Sequence, residues 1–373
     1  MKHISFGALC AAVLFSTGNS FATPISHLHA NGVTMNNIAV MQHTIMLNAF
    51  DNFDGTMAGI ISRHANGGAR SAGPAESDMP KNPNAIKNPD KYGEMLYYGE
   101  YGDDGTVFSA PGRGRSGGDS DGTLALWLDW QHAWDDAKFN HYTRVESNYD
   151  LISLGFSNEP NYTSNHYARF GGFGGIALGR ENAKSVTKLD ETGEYVGLYY
   201  AQHAHGLTLQ IAGDFGAMFT DAKSDFGKHD FTNLWLGAGA KLSYDWFLDS
   251  ETVIQPGLYA GYTWINTHGY EPMPDVKVDN FHVFEVSPSL RAIAHVADEW
   301  YASMSVRYVF NFSHGGDVRN AGVTLPDLEL LNYYEYGMTV EKTFDRLGFA
   351  ASLYRHDGGR TGWATNVHMK YVF

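Results

Sequence analysis

The sequence predicts an all-β transmembrane protein, an antiparallel outer-membrane β-barrel of about twelve strands with an N-terminal α-helix inside its lumen. Three observations point there. The last stretch, Thr361 to Phe373, alternates an apolar or aromatic set, Thr365 excepted, with a mostly polar one. Similar alternation recurs, segment after segment, from Thr123 onward. After the first few residues, no apolar run reaches the roughly 18 residues of a membrane helix.

Composition fits this class. The 373 residues include 42 Gly, 22 Tyr, 22 Phe and 8 Trp. A mean hydropathy of -0.31 beside 14% aromatic residues suits a barrel, because the lipid face uses only half of each strand. The net charge of -15 argues against nucleic acid as partner, since phosphate contacts need a basic surface.

Residues 1–22 read as a secretory signal peptide. Lys2 and His3 precede an apolar core from Ile4 to Phe15, and Ser20-Phe21-Ala22 supplies small residues for cleavage after Ala22. The single cysteine, Cys10, lies within this segment. The mature chain is then cysteine-free, which removes disulfides, thiol catalysis and cysteine-bound metals.

Residues 23–63 comprise a short tail and an amphipathic helix over 29–63. Ile38, Met41, Ile45, Met46, Phe50, Phe53, Met57, Ile60 and Ile61 recur at threes and fours, with Gly55 a point of interruption. The other side carries Asn36, Asn37, Gln42, His43, Asn48, Asp51, Asn52 and Asp54. Residues 64–122 are rich in Gly, Pro and Asn and read as a linker, with a short strand at the aromatic island Met95 to Tyr101.

Residues 123–373 form the barrel. The clearest segment is Leu207 to Thr220, where Leu207, Leu209, Ile211, Phe215 and Phe219 oppose Thr208, Gln210, Asp214 and Thr220. The spacing predicts strands over 123–134, 148–157, 166–180, 192–203, 207–220, 231–247, 251–266, 280–296, 299–312, 329–343, 348–356 and 361–373. Connections after odd-numbered strands read as long and polar, such as DDAKFNHYTRVES and ENAKSVTKLDE; those after even-numbered strands are mostly short, such as HAHG. That asymmetry puts both barrel ends in the periplasm. Pro256 and Pro288 fall inside strands and predict bulges there, or strand boundaries slightly different from these.

In the final strand Phe373, Tyr371, Met369, Val367 and Trp363 share a face, against Lys370, His368, Asn366 and Ala364. A terminal Phe with Tyr two before it resembles the assembly signal of bacterial outer-membrane barrels, marking Tyr371 and Phe373. Leu258 to Trp264, Tyr336 to Glu341 and Met369 to Phe373 resemble strands of the translocator domain of autotransporters, the type V secretion family. With the helix and linker, the resemblance covers residues 29 to 373. It implies a monomer in outer-membrane lipid, delivered by periplasmic chaperones and inserted by the barrel assembly machinery. In that family the helix threads the barrel and marks where the passenger left. Here about six residues separate the cleavage point from the helix, so a passenger is nearly absent. The Asn36-Asn37 pair resembles the cleavage dipeptide of some members, although the flanking residues differ. Two polar residues on a helix face account for it more simply.

No G-x-S-x-G, H-E-x-x-H, phosphate-loop or calcium-loop pattern occurs, so no catalytic residue, cofactor or metal site is expected. His203-Ala204-His205 reads as a polar turn, and Gly171 to Gly175 as a place of close approach inside the barrel. The lumen-lining ionisable residues are Asp129, Arg169, Asp214, Lys241, Asp245, Arg307, Glu335, Glu341 and Lys370. Charges at membrane depth persist where they are paired, bound to a plug or wet. The leading function is a helix-plugged translocator or surface-loop scaffold. A porin-like passive channel comes second. An outer-membrane hydrolase using His141, Glu146, Asp190 or His314 comes last, because nothing in the spacing gathers those residues.

Overall fold

The computed structural model describes residues 22–54, 57, 59–61, 123–139, 143–159, 166–183, 187–224, 227–268, 277–320, 323–325, 329–344 and 346–373. The signal segment before Ala22, the linker with its proposed island strand, and His141 lie outside them.

Twelve long strands make one closed antiparallel wall. They are β1 (Thr123–Phe139), β2 (Thr143–Glu159), β3 (His166–Ala183), β4 (Thr187–Ala204), β5 (Leu207–Ser224), β6 (Gly227–Tyr244), β7 (Thr252–His268), β8 (Phe281–Ala297), β9 (Trp300–Gly315), β10 (Tyr333–Phe344), β11 (Leu347–Gly358) and β12 (Arg360–Val372). Each pairs with the next, and β12 closes on β1 from Ala125↔Val372 to Ala137↔Arg360. Closure leaves no free edge to satisfy in lipid.

The alternation resolves into two faces. Leu154, Leu198, Phe215, Leu236 and Met304 point outward and stay exposed, at 61%, 70%, 50%, 54% and 67%. Their neighbours across the pleat point inward and are buried, as Ser153, Asp214 and Ser303 are. Trp300, Phe344, Tyr371 and Phe373 stand out from one rim, and Trp134, Tyr334 and Trp363 lie toward the other. These are the aromatic girdles of a bilayer-crossing wall. Inside, rings lie over glycines: a Cβ on Gly171 would sit 2.5 Å from Tyr199 Cζ, and one on Gly175 would sit 2.6 Å from Tyr195 Oη. The GGFGG run is therefore a floor for aromatic side chains of β4.

Several expectations change. β1 to β6 run 17 or 18 residues, well beyond the 9–11 that cross a bilayer. Much of DDAKFNHYTRVES and ENAKSVTKLDE is strand. Beyond the membrane both faces are wet, so the hydrophobic alternation that reveals a strand disappears while the ladder continues. At the long-connection end, Lys277–Val278, Val318–Asn320 and Val323–Leu325, from the connections after β7 and β9, form a small sheet. At the opposite end His205 and Gly206 both take positive φ (50° and 84°), the conformation of a tight two-residue hairpin. The prolines give no bulge. Pro256 faces Leu290 and Pro288 faces Leu258 in one unbroken β7–β8 register. Their missing N–H groups instead leave gaps: β6–β7 pairing stops at Ser243↔Gly257 and resumes in the same register at Trp246↔Ile254. Among the described residues the register shifts instead at His295/Ala297, between β8 and β9.

Helix α1 (Ala22–Asp54) lies within the wall. Its backbone is helical from Ala22, seven residues before the expected start, and helical turns recur at Met57 and 59–61. Both its faces are buried: Ile38, Met41, Met46 and Phe50 join a core with Trp127, Tyr195, Trp235 and Tyr259, while Asn31, Asn37, Gln42 and Thr44 meet polar wall groups. Asn31 bonds Thr267 near the long-connection end of β7, and the Met57 amide donates to Glu341 near the opposite end of β10. The N-terminal end of the helix therefore points toward the loops.

Candidate functional site

The site is the lumen and the helix it holds. α1 packs against β2 and β4–β7, off the barrel axis. Asn48 Nδ2 donates to Asp129 Oδ1 at 3.0 Å, and Asn366 Nδ2 reaches the same oxygen at 2.8 Å. Asp214 accepts from Gln42 Nε2 (3.3 Å) and Trp235 Nε1 (2.8 Å). Thr263 donates to Gln42 Oε1 at 2.8 Å, and Gln210 Nε2 donates to the Phe50 carbonyl at 2.9 Å. Lys241 pairs with Asp51 at 3.3 Å and His43 with Glu285 at 2.5 Å. These bonds and the Met57–Glu341 contact tie the helical segment to well-separated strands of the wall.

The inward charges fall into groups. Asp129, Lys241, Arg307, Glu341 and Lys370 line one chamber of about 100 Å³, between α1 and strands β6–β12 and β1, together with Asp51 and Arg291. Serines 287, 289, 305 and 352 complete much of its wall. Arg307 also pairs with Glu335 at 3.1 Å. Asp214 lies apart, beneath the helix. Arg169 and Asp245 sit near the short-turn end; Arg169 Nη2 donates to Ser157 at 3.3 Å, and Asp245 accepts from Gln255 at 2.8 Å. Tyr371 and Phe373 face outward, their rings in edge contact at 5.0 Å. The Phe373 amide bonds the Leu124 carbonyl at 3.0 Å.

Other inward ionisable groups escaped the sequence reading. His356 bridges Asp135 (2.8 Å) and Glu335 (3.1 Å), and Arg360 pairs with Asp135 and donates to Tyr149 (3.2 Å) and Tyr333 (3.3 Å). With both ring nitrogens engaged by carboxylates, His356 is a structural link. Glu181 and Glu191 form a second buried acidic pair. Asp135, Glu181 and Glu191 fall in strand ends that read as loop, just past the predicted boundaries. Continuing the inward parity of each strand into its polar flank would have found them.

The remaining candidates stay scattered. Glu146, Asp190 and His314 are on β2, β4 and β9, and Asp190 pairs outward with Arg180 (3.3 Å) and Lys223 (2.8 Å). His203 turns inward to Thr208 at 2.8 Å and stacks on Tyr167. Among the described residues no group of three or more His, Cys, Asp or Glu is placed to hold a metal ion. The Asn36-Asn37 pair lies in continuous helix; Asn36 Nδ2 bonds the Gly32 carbonyl at 2.8 Å, and Asn37 Nδ2 bonds Glu191 at 2.6 Å.

No family model and no curated protein sequence matches the chain. Solved structures do. The β-domain of the Bordetella autotransporter BrkA aligns with a TM-score of 0.54 at 14% identity, over 66% of this chain and 98% of its own. The translocator domain of NalP from Neisseria meningitidis aligns with a TM-score of 0.54 at 10% identity, over 78% and 98%. The transport unit of AIDA-I from Escherichia coli aligns with a TM-score of 0.52 at 13% identity, over 69% and 92%. The chain has the fold of an autotransporter β-domain. In this barrel the lumen is occupied by the chain's own N-terminal helix, and the segment from Asn37 to Met57 engages polar groups on eight of the twelve strands, β1, β2, β4–β8 and β10.

Proposed function

We propose that this protein is a helix-plugged β-barrel of the bacterial outer membrane, acting as a translocator-type domain or as a rigid scaffold for its surface loops. In this reading the signal peptide is cut after Ala22. Periplasmic chaperones and the barrel assembly machinery then deliver the chain as a monomer into outer-membrane lipid, with Tyr371 and Phe373 as the assembly signal. The protein has no enzymatic activity of its own. The observation that carries the reading is α1 in the lumen, bonded to inward groups from one end to the other. An open pore has no use for a helix whose polar groups match its wall.

The test is conductance. Deleting residues 29 to 63 while keeping the signal removes all but the first seven residues of the helix and leaves the closed ladder, so single-channel conductance in planar bilayers should rise several-fold. Equal conductance in the full-length protein and the deletion would put the porin-like channel first.

A further inference from the structure

We infer that the lumen chamber binds a free tetrahedral oxyanion of the phosphate class, in the corner where β6–β9 face the C-terminal half of the helix. Arg291 on β8 and Arg307 on β9 build that corner. Arg307 opposes Ser289 and Arg291 opposes Ser305, so the two arginines are diagonal neighbours on the inward side of one strand pair. Lys241 joins them from β6. Gly257 of β7 lies between Ser243 and Ser289, and a Cβ on it would stand 2.8 Å from Ser289 Oγ. A side chain at that position would crowd the hydroxyl.

The cations of this corner outnumber their carboxylates. Asp51 of the helix lies in the field of Lys241, Arg291 and Arg307 together, and pairs with Lys241. Glu335 takes Arg307 Nε at 3.1 Å. Among the described residues Arg291 has no carboxylate within ion-pair distance; its Nε donates to the Ser303 hydroxyl at 3.2 Å. Three cations thus share two carboxylates. The chamber's other acids are engaged elsewhere: Asp129, on β1, accepts from Asn48 and Asn366, and Glu341 accepts from the Met57 amide. An excess cation at membrane depth is costly unless it meets an anion or water.

The unused hydrogen-bonding groups here are donors. Arg291 and Arg307 keep their Nη groups without a bonded partner among the described residues, and a guanidinium has no acceptor atom. Ser243 and Ser287 also line the chamber; they are buried, at 2% and 1% exposure, and their hydroxyls have no hydrogen-bond partner. Water could accept from these groups, but it brings no charge. An oxyanion brings acceptor oxygens and negative charge together, and the planar edge of a guanidinium matches two of its oxygens. The chamber, at about 100 Å³, has room for several waters or one such ion. The closed wall separates it from lipid, so the ligand is a free ion and not a headgroup.

Full-length protein, folded in low-salt detergent free of lipopolysaccharide, tests this by equilibrium dialysis against ³²P-labelled phosphate. The expected result is one ion retained per chain. Arg291→Gln breaks no ion pair and should weaken retention at least tenfold, while Arg180→Gln on the outer face should leave it unchanged. If Arg291→Gln does not fold, Ser243→Ala/Ser287→Ala takes its place and should weaken retention at least threefold. No retained phosphate in the unaltered protein, equal retention in the lumen variant, or an equal loss in Arg180→Gln overturns the site. Retention is read in detergent, so the result does not depend on the conductance of the plugged barrel.

Discussion

At the scale of single residues, side-chain direction decides what a substitution costs. Leu236 is half-exposed on the outer face near the middle of the β5–β6 apolar belt, which runs from Leu207↔Tyr244 to Phe219↔Thr232. Leu236→Arg should destabilise the folded barrel by about 2–4 kcal/mol in urea unfolding from lipid vesicles. The lumen is not uniformly permissive, however. Gln210 is fully buried and bonds the Phe50 carbonyl, so a larger side chain there collides with the helix. Ser305 borders the chamber and has room. Ser305→Arg should cost well under half of Leu236→Arg; equal costs would show that the two faces had been exchanged.

At the scale of elements, β12 closes the wall and ends on the residue that pins it. Phe373 adds one backbone bond to Leu124 and stacks edgewise on Tyr371 at the rim. Deleting Phe373 removes that bond and the terminal aromatic together. The yield of heat-modifiable barrel in outer-membrane fractions should fall several-fold, and an unchanged band shift and yield would remove the strand's proposed role in assembly. α1 shows a different logic. Its threes-and-fours pattern was visible, but a helix that buries both faces needs a polar environment shaped to it, and that environment comes from eight strands far apart in sequence.

At the scale of the whole molecule, the helix has a direction. Asn31 meets the loop-side end of β7, and Asp51 and Met57 meet the short-turn ends of β6 and β10. A chain cut after Ala22 and threaded this way starts at the cell surface. N-terminal sequencing should read Thr23, and an epitope joined there should bind antibody on intact cells. The same epitope in the turn at Asp249 should bind only after the outer membrane is opened. The reverse pattern would invert the barrel.

The amino-acid sequence by itself determined the class, the strand count, the parity of each strand and the presence of an N-terminal helix. Those follow from local periodicity: an alternating face next to lipid must be apolar, as it is from Leu207 to Phe219 and, but for Thr365, from Trp363 to Phe373. Only the tertiary structure decided where the strands end, which acids face one another and how the helix sits. Past the bilayer the lipid constraint lapses, so Asp135, Glu181 and Glu191 carry no hydrophobic alternation to mark them as strand. Their pairing with Arg360, or with each other and Asn37, is set by ladder register and by the helix's off-axis position. Both are properties of the closed barrel rather than of any one stretch of chain.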